Sequence, residues 1–256
     1  MIEIKLNASE LAIITGHNKY QNLLELKDKI FIRNNLKEGI IPTNDVHKIL
    51  LNIKNPDILK DLKLDLKLSD DSSIKTIVKT LQNKYIKPAV SNNTEAGSHE
   101  VLQSILTASP AINKLLGKSL YKDLIKSKGN KNESKSLNKH EKVINTRITG
   151  RNNTLYKKHL YSDDKYKIII QGKIDGMINN DTVVESKNRS KRLFHKIPEY
   201  EKVQLEAYLF LTNTDRALHI ENYNDHSVET YYYTNSEFWN YCISKIIDFV
   251  VSFNCA

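Results

Sequence analysis

Cysteine is nearly absent from this chain: Cys242 and Cys255 are the only two among 256 residues, with no CxxC spacing and no histidine cluster beside them. That count speaks against a disulfide framework and against a structural zinc site, and it fits a reducing compartment. The eight histidines never pair at HxxxH or HExxH spacing, so zinc-dependent hydrolysis lacks its ligands. No GxGxxG or Walker loop occurs, which excludes the usual phosphate cradles of dinucleotide- and ATP-using enzymes. No apolar run approaches the roughly 20 residues needed to span a membrane. The opening MIEIKLNASE carries acids and lacks the basic-then-apolar plan of a secretory signal. The expected setting is intracellular, in cytoplasm, nucleus or a viral factory, and not secreted.

Acidic residues are also in short supply, 30 against 39 lysines and arginines, leaving a formal net charge of +9. Such an excess favours a polyanionic partner, nucleic acid among them, through counterion release. Lysine in an AT-rich coding sequence produces the same excess, so charge supports a site-based argument without replacing one.

The first half of the chain reads as helices. ASELAIIT, capped by Asn7 or Ser9, gives way at Gly16-His17-Asn18 to YQNLLELKDKIFIRNN, with leucines and isoleucines near helical spacing. DVHKILLNI and SIKTIVKTLQNKYI continue the pattern, while LKLDLKL between them alternates with period two and is assigned to the same helical region. A further helix is predicted from Thr94 to Leu106. Residues 126–142 hold almost no apolar side chain and are predicted to form a mobile loop.

From about Arg147 the texture becomes that of strands: TLYKKHLY, KYKIIIQGKIDGMI and TVVESK, separated by the turn signals Ser162-Asp163-Asp164 and Asn179-Asn180-Asp181. A helix EYEKVQLEAYLFLTN, the strands ALHIEN and VETYYYT, and a closing helix capped by Ser236 complete the chain. The order implies an α/β fold: a mixed central sheet flanked by helices, preceded by a helical region. The expected division is a helical region over 1–93 and a core over 94–256.

Chemistry gathers in the strand region. Asp175 ends one apolar strand, and Glu185 and Lys187 stand two apart on the next, so they share a face. An antiparallel turn at Asn179-Asn180-Asp181 brings Asp175 toward Glu185. Two carboxylates, with the Ser186 carbonyl as a further oxygen, suit hard Mg2+ (or Mn2+ in its place), and an ammonium beside them can orient water or offset phosphorane charge. Gln204 and Tyr208, four apart on the following helix, add an amide and a phenol on one face. Upstream, Gly97 permits close approach, and Glu100 or His99 can reach a metal. Downstream, Arg189, Lys191 and Arg192 are cations suited to a DNA backbone. The run Tyr231-Tyr232-Tyr233 admits base stacking or ordinary strand packing.

Assembled, these residues resemble the PD-(D/E)xK nuclease superfamily, in its RecB-like branch and within it the lambda-exonuclease (YqaJ-like) recombination nucleases. The family's order stands here as Gly97/Glu100, Asp175, Glu185/Lys187 and Gln204/Tyr208, and NASELAIITGHNKYQNLLEL is similar to its opening stretch. The resemblance implies a restriction-endonuclease-like core and a magnesium-dependent deoxyribonuclease. It further implies exonuclease action in recombination, repair or replication, through an oligomer or beside a recombination partner protein. It makes Asp175, Glu185, Ser186 and Glu100 the metal ligands, and Asp175, Glu185, Lys187, Gln204 and Tyr208 the catalytic set. By the same resemblance Ser9 touches a substrate phosphate; a plain N-cap is its other reading. Two departures stand out: Gly97 and Glu100 lie closer together than is common in the family, and Ile174 replaces the proline. A structure- or sequence-specific endonuclease, and a non-catalytic binding module on the same fold, are the alternatives.

Overall fold

The computed structural model describes residues 1–92 and 94–253, so Cys255 lies outside the described residues. In chain order the elements are β1 (Ile2–Asn7), α1 (Leu11–Ile14), α2 (Leu23–Arg33), α3 (Asp45–Leu51), α4 (Pro56–Asp65), α5 (Ile74–Leu81), α6 (Lys87–Ser91), α7 (Glu95–Thr107) and α8 (Pro110–Ile144). There follow β2 (Ile148–Thr149), β3 (Tyr156–Ser162), β4 (Tyr166–Gly172), β5 (Gly176–Ile178), β6 (Thr182–Asn188), α9 (Glu199–Thr212), β7 (Arg216–Tyr223), β8 (His226–Tyr233) and α10 (Ser236–Val251). The fold is mixed α/β, as the patterning predicts. Among the described residues, no helix is long and apolar enough to cross a membrane.

The chain divides into two compact units, Met1–Ile41 with Glu133–Ala256, and Pro42–Asn132. The expected division at residue 93 differs at both ends: residues 94–132 fall in the helical unit, and MIEIKLN, read with the helical region, is a strand. Its period-two pattern buries Ile4 and Leu6 and pairs β1 in parallel with β4, from Ile2↔Tyr166 to Asn7↔Gln171. The N-terminus thereby joins the sheet unit.

The helical unit holds α3 to α7 and the start of α8 around a core that includes Leu50, Ile77, Leu81, Leu102, Leu106 and Leu120. Its helices start where side chains accept the free amide groups: Asn44, Asn55, Ser73 and Thr94 all cap in this way. The ambiguous LKLDLKL begins in the last turn of α4 and leaves the helix at Leu66, and the Pro56 of α4 sits in the first turn, where its missing N–H costs nothing.

In the sheet unit, a three-stranded sheet runs β1-β4-β3 and a five-stranded sheet runs β2-β5-β6-β7-β8. Each mixes directions: β1 and β4 are parallel, as are β6 and β7, and the remaining pairs are antiparallel. The main core unites β1 and β4 with α1, α2, α9 and α10. Helix α9 is buried on most sides, and it brings two carboxylates inside with it, Glu201 and Glu206. Glu206 is satisfied by the Tyr232 hydroxyl, the Thr234 hydroxyl at 2.9 Å and the Asn235 N–H at 2.7 Å. Tyr232 therefore faces inward, while Tyr231 and Tyr233 are exposed. Asn235, and not Ser236, caps α10, accepting the Phe238 N–H at 3.0 Å.

Residues 126–142 are helical, correcting the predicted mobile loop. A narrow stripe suffices to hold them. Leu137 and Ile144 pack with Ile148, Val184, Leu218 and Ile220 on the five-stranded sheet, and His140 between them is buried against Glu229 at 3.1 Å. A segment that presents one thin stripe to a sheet leaves its other faces polar, which is why its composition reads as loop.

Candidate active site

Local chain geometry assembles the central pair. Asn179 and Asn180 both adopt left-handed backbone angles, φ 50° and 61°, which asparagine tolerates better than most residues. The turn closes β5 onto β6 with Gly176 opposite Val184, so Asp175, in the bend before β5, stands across from Glu185. The Ser186 N–H donates to the Asp175 carboxylate at 2.8 Å and locks that placement. Gly176 is required here, because a Cβ would fall 2.2 Å from Ile148 Cγ2 on β2.

Glu185 and Lys187 share a face of β6, as period two demands. The Lys187 ammonium donates to Glu185 Oε1 and, at 3.2 Å, to Gln204 Oε1. The Gln204 amide then donates to the Tyr208 hydroxyl at 2.8 Å. A continuous chain of polar contacts thus runs Glu185–Lys187–Gln204–Tyr208 from strand to helix. Tyr208 reaches it because Gly172 on β4 has no side chain: a Cβ there would stand 3.0 Å from the Tyr208 ring. Ser186, between the two, points its hydroxyl the other way, 3.3 Å from Ser136 and 3.3 Å from the Asn222 amide.

The electrostatics of the group are strained by burial. Glu185 is 3% exposed, and its Oε2 has no hydrogen-bond partner. Burial pushes its carboxyl up to about 7, with Asp175 adding and Lys187 opposing. Burial likewise raises Asp175 to about 6, with the Ser186 N–H opposing and Glu133 adding. Burial alone would lower Lys187, but Glu185, Glu201 and Asp175 outweigh it and hold the ammonium above its ordinary value. Burial and the neighbouring Glu185 charge raise the Tyr208 phenol, so it stays a neutral donor.

Glu133, on α8, is the acid that sequence reasoning missed. Its carboxyl is raised first by burial and then by the charge of Glu185, and it accepts a hydrogen bond from Asn152. Its signal was present: Glu133, Leu137, His140 and Ile144 follow one helical stripe through the segment taken for a loop. Glu100 stands exposed on α7 in the helical unit, where His99 rests its ring against Tyr121 at 5.5 Å.

Arg189, expected at the DNA backbone, is engaged inside the protein. Its guanidinium grips Glu201 at 2.6 and 2.8 Å and Glu221 at 2.6 Å, with its side chain 11% exposed. Glu201 also meets His219 at 2.8 Å, and Glu221 accepts the N–H groups of Phe194 and His195 at 3.0 Å each. Lys191 and Arg192, by contrast, are exposed in the following loop. Ser9 is exposed in a one-turn 3-10 segment, Ala8–Glu10, whose N-cap position is Asn7.

Hard oxygen donors are what magnesium or manganese takes, and two carboxylates with water and phosphate suffice for it. Asp175 and Glu185, with the unpartnered Glu185 Oε2, fit that requirement. Among the described residues, no three acidic, histidine or cysteine side chains already converge in ligating geometry. Lys187 and the Ser186 N–H each occupy an oxygen of the pair.

No family model matches the chain, and no curated protein matches it. Solved structures similar to it include an alkaline exonuclease, LHK-Exo from Laribacter hongkongensis, alone and in complex with dAMP. The TM-score is 0.40 at 10% identity, over 64% of this chain and 82% of that one. A phage-related exonuclease from Haemophilus somnus gives 0.36 at 12% identity, over 66% and 90%. Likenesses this loose bear no weight for function.

Proposed function

We propose that the chain is a metal-dependent DNA nuclease of the PD-(D/E)xK type. The observation that carries this reading is the buried, unpartnered Glu185 Oε2 beside Asp175, at the head of the Lys187–Gln204–Tyr208 chain. A buried carboxylate oxygen without a partner calls for a ligand. Asp175 and Glu185, with Glu133 in place of Glu100, would hold Mg2+ or Mn2+. The ion would polarise the phosphodiester and lower the pKa of the attacking water.

The chain's own residues supply the rest. Lys187 stays charged at neutral pH, so it serves as a donor to water or to the phosphorane oxygens, and not as a base. Gln204 fixes the Lys187 ammonium by accepting from it, and Tyr208 fixes the Gln204 amide in turn. Lys191 and Arg192 would hold the DNA backbone. By the resemblance in its sequence, the protein would act as an exonuclease on DNA ends in recombination, repair or replication. It would do so inside the cell, as an oligomer or beside a recombination partner.

Linear duplex DNA with Mg2+ tests the reading: the wild type degrades it, and Lys187→Ala does so about 100- to 1,000-fold more slowly, the usual cost of losing one transition-state donor. A wild type that binds DNA but never cleaves it sinks the proposal. Cleavage of closed circles would select endonuclease over exonuclease action.

A further inference from the structure

Helix α9 carries another aromatic in line with Gln204 and Tyr208. Residues 200, 204 and 208 fall four apart, so Tyr200 stands on the same face one turn toward the N-terminal end. Because Gln204 touches Lys187, that face leads along the helix from the reactive groups to Tyr200.

Tyr200 is half-buried, and Tyr20 meets it edge to face, with ring centroids 6.4 Å apart and planes at 89°. Tyr20 is 88% exposed, more than any other large hydrophobic side chain among the described residues. Its backbone is nonetheless held: the Tyr20 N–H donates to the Asn18 side chain at 3.0 Å, and the Asn18 N–H donates to the Ala12 carbonyl at 2.8 Å. The ring is therefore presented to solvent from a fixed turn. Exposed cations flank the two tyrosines along the chain. Lys19 precedes Tyr20, and Lys191, Arg192 and Lys196 line the loop that enters α9. The nearby exposed acid Glu199 is neutralised by Lys202 at 2.6 Å.

Aromatic faces flanked by cations bind single-stranded nucleic acid by stacking the bases and pairing the backbone. We propose that Tyr20 and Tyr200 form a stacking platform for unpaired bases at the end of a DNA strand. The platform's place in the reaction rests on the nuclease reading above; its binding does not.

The test uses a duplex with a short single-stranded tail ending in 2-aminopurine, in EDTA so that no cleavage occurs. The wild type binds it and quenches the terminal fluorophore. Tyr20→Ala, exposed enough to leave folding intact, loses the quenching and binds roughly 5- to 150-fold more weakly, the range for one lost stacking partner. Tyr20→Trp keeps both, and a blunt duplex distinguishes wild type from Tyr20→Ala far less than the tailed one does. The platform is overturned if the wild type fails to bind the tailed duplex, or if Tyr20→Ala binds and quenches as the wild type does. In the latter case the aromatic pair is left as a protein-contact surface. Quenching without cleavage in Mg2+ would keep the platform and remove the nuclease; cleavage with an indifferent Tyr20→Ala would do the reverse.

Discussion

Arg189 holds the Glu201 carboxylate with two parallel hydrogen bonds of 2.6 and 2.8 Å, and this pair ties the end of β6 to the first turn of α9. The Glu185–Lys187 strand and the Gln204–Tyr208 helix are thereby fixed to each other at their open ends. Arg189→Met leaves Glu201 and Glu221 buried without their cation, and it should cost about 3–5 kcal/mol in urea unfolding. Lys191→Ala, two residues on and exposed, should change stability by less than about 0.5 kcal/mol. Equal midpoints for the two variants would mean the clamp adds nothing.

The same pair sets an acid limit. Burial alone would raise Glu201, but the hydrogen bonds from Arg189 and His219 prevail and bring it to about 2, from an ordinary 4.5. A carboxyl depressed in the fold stabilises fully above its unfolded value and loses that stabilisation as pH falls toward the folded one. Wild-type stability should therefore drop between about pH 4.5 and 2, and the drop should be shallower in Glu201→Gln. Parallel curves for the two proteins would contradict the assignment.

Glu133 and Glu100 make opposite predictions. If Glu133 completes the acidic group with Asp175 and Glu185, Glu133→Gln lowers the cleavage rate by about 10- to 100-fold. Glu100→Gln leaves the rate near wild type. The reverse ranking, measured on one linear substrate, would return the role to Glu100.

Protons and metal compete for the site. Burial holds Asp175 at about 6 and Glu185 at about 7, so both carry protons at mildly acidic pH. Those protons must leave before the oxygens can ligate. Titration calorimetry with Mn2+ should show affinity rising from pH 6 to pH 8, with proton release that shrinks at the upper end. An affinity flat across that window would argue against these two ligands.

Gly176 answers to geometry alone. A Cβ placed 2.2 Å from Ile148 Cγ2 forces β2 and β5 apart, and Gly176→Ala should destabilise by about 1–3 kcal/mol. Adding Ile148→Ala removes the clashing atom and should recover part of the activity lost by displacing Asp175. No recovery in the double variant would place the defect elsewhere.

Asp175 with Glu185 and Lys187, and Gln204 with Tyr208, were legible in the sequence because the relationships within each set are local. Period two sets Glu185 and Lys187 on one face, the two asparagines turn the hairpin, and a spacing of four aligns the glutamine with the tyrosine. The alternation of strand and helix signals also sufficed for a mixed α/β fold. What only the tertiary structure decided depends on partners distant in sequence. Strand β1 is a strand because β4 lies beside it, some 164 residues later. Glu133 comes within range of the Glu185 charge because a thin apolar stripe on α8 finds the sheet, although its own neighbourhood is polar enough to pass for a loop. Arg189 is an internal anchor because Glu201 and Glu221 come to it from a helix and from another strand. Local geometry is written in spacing; burial, and the charges that burial forces together, depend on which distant segments meet.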